Sequence, residues 1–280
     1  MILLKKLSRL TNLNKLNVGY ALSGGGAKGF AHLGALRALE ERNLKPDIIA
    51  GTSAGALAGV LYADGYSPDE IKELFKDIKF KQFIELTFPT TGLFRPTGLH
   101  NFLKRNLRSK TFEELRIPFV AVATDWEKGT TVNFSQGEKL IDAVVASCCV
   151  PLIFSPVYIN DRPYVDGGIF KNLPASTIRE KCRVLFGINV HIMMPPEEKH
   201  NLKYVAERTF NLMSLSNTFA DKKLCDVLIE TKGIEHYWMF DLSNIDTIYE
   251  TGYTRAVEKL KEKKATKAIV KSKRLELLNF

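Results

Sequence analysis

Short runs of apolar residues alternate along this chain with stretches in which apolar side chains recur at helical spacing. VGYALS (Val18–Ser23) has no polar alternation and reads as a buried strand, and the residues from Phe30 to Glu41 follow it as a helix. PDIIAG (Pro46–Gly51) is a second such strand, leading into a helix of small residues, AGALAGVLYA (Ala54–Ala63). Ser67, Pro68 and Glu70 form a helix start signal, with an N-cap, a first-turn proline and the acid of a capping box. Thr111 and Glu114 in TFEEL repeat that signal. IPFVAVATD (Ile117–Asp125) is a third strand and EKLIDAVVAS (Glu138–Ser147) a helix. VYINDRPYVDGG is a hairpin turning at Asn160–Asp161, and RVLFGINV (Arg183–Val190) is a fourth core strand. Continuous apolar strands alternating with helices predict a three-layer α/β/α domain with a mainly parallel central sheet covered on both faces.

The stretch from Phe80 to Leu103 breaks this alternation with five Phe, two Pro and scattered Gly, and reads as an inserted cap or lid. Its phenylalanines, among them Phe83, Phe88, Phe94 and Phe102, suit the wall of an apolar pocket as well as they suit ordinary core packing. The expected organisation is a basic N-terminal segment at 1–17, a catalytic domain at 18–250 with the cap at 80–103, and a basic C-terminal helix or tail at 251–280. No run of about 18 apolar residues reads as membrane-spanning. The four cysteines have neither a disulfide framework nor metal-type spacing, so reduced, buried thiols and a cytoplasmic location are expected.

Charge changes the picture at the ends. Residues 1–17 carry four basic and no acidic side chains, and residues 255–274 carry nine basic against two acidic. Of the formal net charge of +9, the rest of the chain therefore holds about −2. Basic ends attract an anionic membrane surface, which predicts peripheral membrane contact. Nucleic acid is not expected as a partner, because aromatic residues are not interleaved with this charge.

The candidate chemistry begins at Gly51-Thr52-Ser53-Ala54-Gly55, a G-x-S-x-G elbow between a strand and a helix. So sharp a turn needs flanking positions without bulk, Gly51 and Gly55, and it projects the Ser53 hydroxyl at the carboxyl edge of the sheet. A reactive serine needs backbone N–H groups for the developing oxyanion. Gly24, Gly25 and Gly26, leaving the first strand, supply them, and Ala54 adds another donor; Lys28 brings positive charge nearby. Gly24-x-Gly26-x-x-Gly29 also fits a dinucleotide-binding loop, but the acidic residue expected at the end of the second strand is missing. The hydroxyl also needs a base. His32 faces Leu36 and Leu39 and reads as packed, while His100 and His200 lie in the cap and in a charged loop. His191, just past a core strand, is placed as a triad histidine would be. Asp166, followed by Gly167 and Gly168, offers a carboxylate that another loop can approach closely.

Four ordered blocks resemble the patatin-like phospholipases, lipid acyl hydrolases that use a Ser–Asp dyad without histidine. They are Gly24–Gly29, Gly51–Gly55, Ala146-Ser147 through Pro151 with Phe154-Ser155-Pro156, and Asp166-Gly167-Gly168. The resemblance implies Ser53 as nucleophile, Asp166 as its partner and the Gly24–Gly26 loop as oxyanion hole. It implies hydrolysis of phospholipid, lysophospholipid or acylglycerol esters through an acyl-serine, with no cofactor or metal. Lys28 stands where the family more often has Arg, and Cys149 where Ala is usual. The alternatives are a triad esterase using His191 and a nucleotide-binding module using the glycine loop.

Overall fold

The computed structural model describes residues 15–86, 92–193 and 201–276. Residues 1–14 of the basic N-terminal segment, Phe88 and His200 lie outside them. The elements in chain order are β1 (Leu16–Leu22), α1 (Phe30–Glu40), β2 (Ile48–Thr52), α2 (Ala54–Ala63), α3 (Pro68–Phe75), β3 (Glu85–Leu86), β4 (Gly92–Arg95) and α4 (Thr97–Asn106). They continue with β5 (Phe119–Asp125), β6 (Thr130–Phe134), α5 (Leu140–Ser147), β7 (Leu152–Phe154), β8 (Val157–Ile159), β9 (Arg162–Asp166), α6 (Ala175–Ile178) and β10 (Cys182–Asn189). The last are α7 (Leu202–Ser216), α8 (Phe219–Leu224), β11 (Val227–Glu230), α9 (Ile245–Leu260) and α10 (Lys263–Glu276).

The main sheet runs β11-β10-β1-β2-β5-β9-β8, with β6 also paired to β5. The strands from β11 to β5 are parallel to one another. Their residues are almost wholly buried, as expected for strands covered on both faces. One face packs against α1, α2 and α9 in a core that includes Tyr20, Phe186, Leu36 and Tyr249. The other lies under a thinner layer in which Leu173, Ala175 and Ile178 meet Ala50, Val122 and Leu185. The three-layer α/β/α architecture read from the sequence is the one observed.

The two edges of β5 are used unequally. β2 pairs with residues 119–122 and β6 with residues 121–125, so these two strands hold opposite edges. β9 pairs with residues 123–125, where β6 is also present, so β9 occupies the edge that β2 has vacated. The register places Thr52 opposite Val122 and Asp166 opposite Ala123, one residue apart along β5. The antiparallel β8–β9 hairpin turns at Asn160 and Asp161, which sit at φ 51° and 60°, as a two-residue hairpin loop requires.

Several elements differ from expectation. TFEEL forms no helix: Glu114 accepts the Lys110 N–H at 2.6 Å, and so short a segment closes as turns before a helical nucleus can propagate. The stretch from 80 to 103 forms β3, β4 and most of α4, and β4 pairs with β7 from beyond it to complete a three-stranded sheet. The division drawn at residue 250 falls inside α9. At Ser67, by contrast, the capping box is formed in both directions.

Helix α9 lies against α1 through two glycines. A Cβ at Gly34 would stand 2.0 Å from the Tyr249 carbonyl oxygen, and one at Gly252 would stand 2.1 Å from that of Ala31. Backbone cannot yield as a flexible side chain can, so Gly252→Val forces the helices apart. It should lower stability by about 1–3 kcal/mol or more, seen as a lower denaturant midpoint at unchanged slope. An unchanged midpoint would mean that α9 is not a fixed part of the core.

Candidate active site

The turn from β2 into α2 has no room for side chains. A Cβ at Gly51 would stand 2.4 Å from the Gly55 oxygen, and one at Gly55 would stand 2.3 Å from the Leu22 oxygen. Between them Ser53 adopts φ 51° and ψ −122°, a conformation that costs a non-glycine residue about 1–3 kcal/mol. Two hydrogen bonds hold it there. The Ser53 N–H donates to Ser147 Oγ at 2.9 Å, and that hydroxyl donates to the Val122 carbonyl at 2.6 Å. Fully buried Ser147 thus satisfies both backbone groups at the point along β5 where pairing with β2 gives way to pairing with β9.

Asp166 is fully buried at the end of β9. Its N–H donates to the Cys149 carbonyl at 2.9 Å, and its carbonyl accepts from Thr124 Oγ1 at 3.0 Å. Oδ1 accepts the Gly168 N–H at 2.7 Å. Oδ2 has no partner with hydrogen-bond geometry among the described residues. The Ser53 hydroxyl nevertheless approaches the carboxyl closely enough to favour its charged form, so the contact is near but not closed. Burial outweighs that help and the Gly168 bond, and raises the carboxyl pKa from 3.8 to about 7. Gly167 permits the approach, since a Cβ there would stand 2.3 Å from the Val122 oxygen.

The three loop glycines are not equivalent. The Gly24 N–H is bonded to the Asn172 carbonyl at 3.0 Å, so it is not available to an oxyanion. Those of Gly25 and Gly26 are not taken up by a neighbouring loop or side chain of the described residues. Ala54, at the first position of α2, has an amide of the kind a helix start leaves over. Gly25, Gly26, Ala54 and Ser53 all line one cavity of about 900 Å³, counted to its open mouth. Its walls are otherwise apolar: Phe30 and Leu33 from α1, Leu57 and Ala58 from α2, Phe75 from α3, and Phe83 and Leu99 from the cap.

Lys28 is buried, contrary to the default for a lysine. Its Nζ donates to the Glu235 carbonyl at 3.2 Å, and burial lowers its pKa against the pull of Glu207 and Glu235. It joins the glycine loop to residues 235–239, whose Met239 oxygen also accepts the Ala27 N–H at 2.7 Å. A Cβ at Gly29 would stand 2.7 Å from that of Ala54, so that glycine lets the two loops meet. Of the histidines, His32 is buried with Nε2 2.8 Å from the Ser23 oxygen, and its pKa falls to about 4 through burial. His191 is also buried, and its Nε2 lies 3.0 Å from the Asn211 oxygen. The ring is engaged by α7 and does not line the cavity with Ser53.

Three contributors were not foreseen. Ser147 was recognised only as part of a motif. Asn172 stands across Gly24 from the serine: a Cβ at Gly24 would lie 2.4 Å from Asn172 Oδ1 and 3.2 Å from Ser53 Cβ. Its Nδ2 is buried without a partner among the described residues. Met239, Phe240 and Leu242 close one wall of the cavity from a stretch without helical or strand periodicity. The signal for Ser147 is its place in the Ala146-Ser147 block, and that for Asn172 is an Asn two residues before a Pro, soon after Asp-Gly-Gly; Met239, Phe240 and Leu242 have none.

Comparison with known proteins bears on the family and the fold. The family model for patatin-like phospholipase matches residues 20–178. An uncharacterized NTE family protein of Mycobacterium tuberculosis is 34% identical over 173 residues, covering 61% of this chain and 48% of that protein. Patatin-like phospholipase domain-containing protein 7 of Rattus norvegicus is 31% identical over 195 residues, 66% of this chain and 14% of that protein. Lysophospholipase NTE1 of Kluyveromyces lactis is 26% identical over 268 residues, 84% of this chain and 18% of that one. The chain thus spans about half the length of its mycobacterial relative and a small part of the other two. Among solved structures, VipD from Legionella pneumophila shares the fold, with a TM-score of 0.58 at 15% identity over 87% of this chain and 66% of that one.

Two stability measurements test this construction. Ser147→Ala strands the Ser53 N–H and the Val122 carbonyl and should cost about 1–3 kcal/mol for each group left bare; an unchanged unfolding midpoint would mean that other groups meet them. A carboxyl that folds with its pKa raised from 3.8 to about 7 adds stability below pH 3.8 that is lost as pH rises through 7. Replacing it should therefore help increasingly over that window. Asp166→Asn should gain on the wild type by roughly 4 kcal/mol between pH 4 and pH 8, at about 1.4 kcal/mol per pH unit. A gain that does not change with pH would contradict the buried charge.

Proposed function

The chain belongs to the patatin-like phospholipase family, and from that premise we propose that it is a lipid acyl hydrolase acting through Ser53 and Asp166. One observation carries the proposal: a strained serine, beside a buried carboxyl, opens onto a cavity lined mainly by apolar side chains.

In this reading the acyl chain lies along the phenylalanine- and leucine-lined cavity, and the ester carbonyl comes to rest over Ser53. Ser53 Oγ attacks the carbonyl carbon while its proton passes to Asp166 Oδ2, the oxygen without a partner. The developing oxyanion meets the amides of Gly25, Gly26 and Ala54, fixed donors in a water-poor site. The bond to the alcohol then breaks, and Asp166 returns the proton to the departing oxygen. A water next loses its proton to Asp166 and attacks the acyl-serine; Ser53 leaves with that proton, and the fatty acid is released. A carboxylate at its ordinary pKa would be a feeble base, and burial brings Asp166 to about 7, near the pH at which it must both take and give a proton. A His191 mechanism has less support, since that ring is held by Asn211, does not line the cavity with Ser53, and is made a weak base by burial, which lowers its pKa to about 4. A nucleotide site on the glycine loop is disfavoured by the apolar lining there.

A fluorophosphonate probe should label the wild type, fail to label Ser53→Ala and label Asp166→Asn at least a hundredfold more slowly. The labelling rate should rise with pH, half-maximal near 7, because Asp166 acts as base only when ionised. Labelling that persists in Ser53→Ala, or is lost in His191→Ala with the fold intact, would overturn the assignment.

A further inference from the structure

Helices α7 and α8 are inside out. The stripe they turn inward is polar: Glu207, Asn211 and Ser214 are only 8%, 1% and 0% exposed, and Thr218 and Asp221 continue the row. The stripe they turn outward carries large apolar side chains: Val205, Leu212 and Phe219 are 49%, 43% and 58% exposed, with the small hydroxyls of Thr209 and Ser216 exposed between them. A helix resting on a water-soluble domain has the reverse arrangement.

The inward row is explained by what it touches. Glu207 Oε1 accepts the Met239 N–H at 3.1 Å, and Ser214 Oγ donates to the Gly168 carbonyl at 3.0 Å. Asn211 Nδ2 meets the Ile192 carbonyl at 3.3 Å, and Asp221 accepts from Lys171 Nζ and the Ser176 N–H. The pair is therefore fastened by polar contacts to the Asp166 loop and to the chain covering the glycine loop. Nothing comparable accounts for the outward row. Its charge is one-sided as well. Between residues 204 and 224 the acidic side chains, Glu207 and Asp221, are both buried, while Lys223 is exposed.

We propose that the outer face of α7 and α8, built on Val205, Leu212, Phe219 and Lys223, rests on an anionic phospholipid bilayer. Large apolar side chains spaced by small hydroxyls, without exposed carboxylates, suit the boundary between headgroups and acyl chains. The site lies at the same end of the molecule. α7 abuts Gly168, two residues from Asp166, and its Phe210 lines the cavity that contains Ser53. The described basic ends face elsewhere. Asn17 Nδ2 donates to the Ser272 carbonyl at 2.9 Å and Lys271 Nζ to that of Arg183 at 3.3 Å, beside the first residues of β1 and β10. That is the amino edge of the sheet, opposite the edge from which Ser53 projects. The proposal draws on the lipid reading only for the chemistry of the partner.

The test is flotation with phosphatidylcholine vesicles and with vesicles that also contain phosphatidylglycerol. The Ser53→Ala protein is used so that no lipid is turned over. It should float with the anionic vesicles. Adding Leu212→Asp and Phe219→Asp should lower the bound fraction about tenfold or more, whereas Lys15→Gln with Lys271→Gln should leave it close to the parent. With Ser53 restored, the Leu212→Asp, Phe219→Asp protein should hydrolyse a short water-soluble ester normally and act poorly on vesicles. A parent that does not float, or a double variant that floats as the parent does, overturns the proposal. So does a parent dimer that dissociates in the double variant, for the face would then join two copies of the chain. If no protein with Ser53 hydrolyses any ester and flotation still depends on Leu212 and Phe219, the docking face stands and the hydrolase reading fails.

Discussion

One edge of β5 is shared by two strands, and the site depends on where they exchange. β2 runs parallel to β5 as far as Val122, and β9 arrives antiparallel from Ala123 onward. Two chain ends thus meet head to head within a single sheet: the serine that follows β2 and the aspartate that ends β9. No long loop has to carry either residue into position, because the hydrogen-bond ladder of β5 measures the distance. The exchange also breaks the ladder, and Ser147 closes the gap with one hydroxyl that accepts the Ser53 N–H and donates to Val122. The glycines follow from the same crowding. At Gly51, Gly55 and Gly167 a Cβ would stand within 2.4 Å of a backbone oxygen.

The surroundings must sustain two unfavourable features, a strained serine and a carboxyl without water. Both are tolerable because the parallel strands around them are buried on both faces, and the junction cannot relax without unpairing β2 or β9. The burial that raises the Asp166 pKa also makes its ionised form a burden on the fold. In the proposed mechanism, stability and reactivity therefore oppose each other at this residue, a common relation at functional sites.

What was legible in the sequence follows from where each residue takes its instructions. β1, β2, β5 and β10 are continuous apolar runs because both of their faces are covered, and such runs can be read directly. β6, TTVNF, is half exposed and polar, and β11 has four residues, so neither stood out. The helices after Val190 gave no usable pattern; in α7 the apolar and polar faces are exchanged, so periodicity would have placed the core on the wrong side. Ser53 and Asp166 were visible because their turns demand glycines nearby in the sequence. The engagement of the Gly24 amide by Asn172 was not, since it joins loops nearly 150 residues apart through one backbone bond. Nor could Lys28 be read as buried, because the carbonyl that receives it belongs to Glu235.

The family match ends at residue 178, but the cavity does not. Phe210, Met239, Phe240 and Leu242 form part of its wall, and the last three lie in an irregular stretch pinned to the glycine loop by Lys28 and Ala27. Gly26 fits that stretch closely, since a Cβ there would stand 2.3 Å from the Met239 oxygen. The segment common to the family holds the elements around which a reaction can be built, whereas one side of the volume that receives a chain is made by residues beyond it. Met239 meets the glycine loop through its backbone carbonyl, which constrains side-chain identity little, whereas Phe240 is held by its ring, edge to face against Phe154. The wall beyond the family segment is thus tied to the site in two ways, by a backbone bond at the glycine loop and by side-chain packing farther along the cavity.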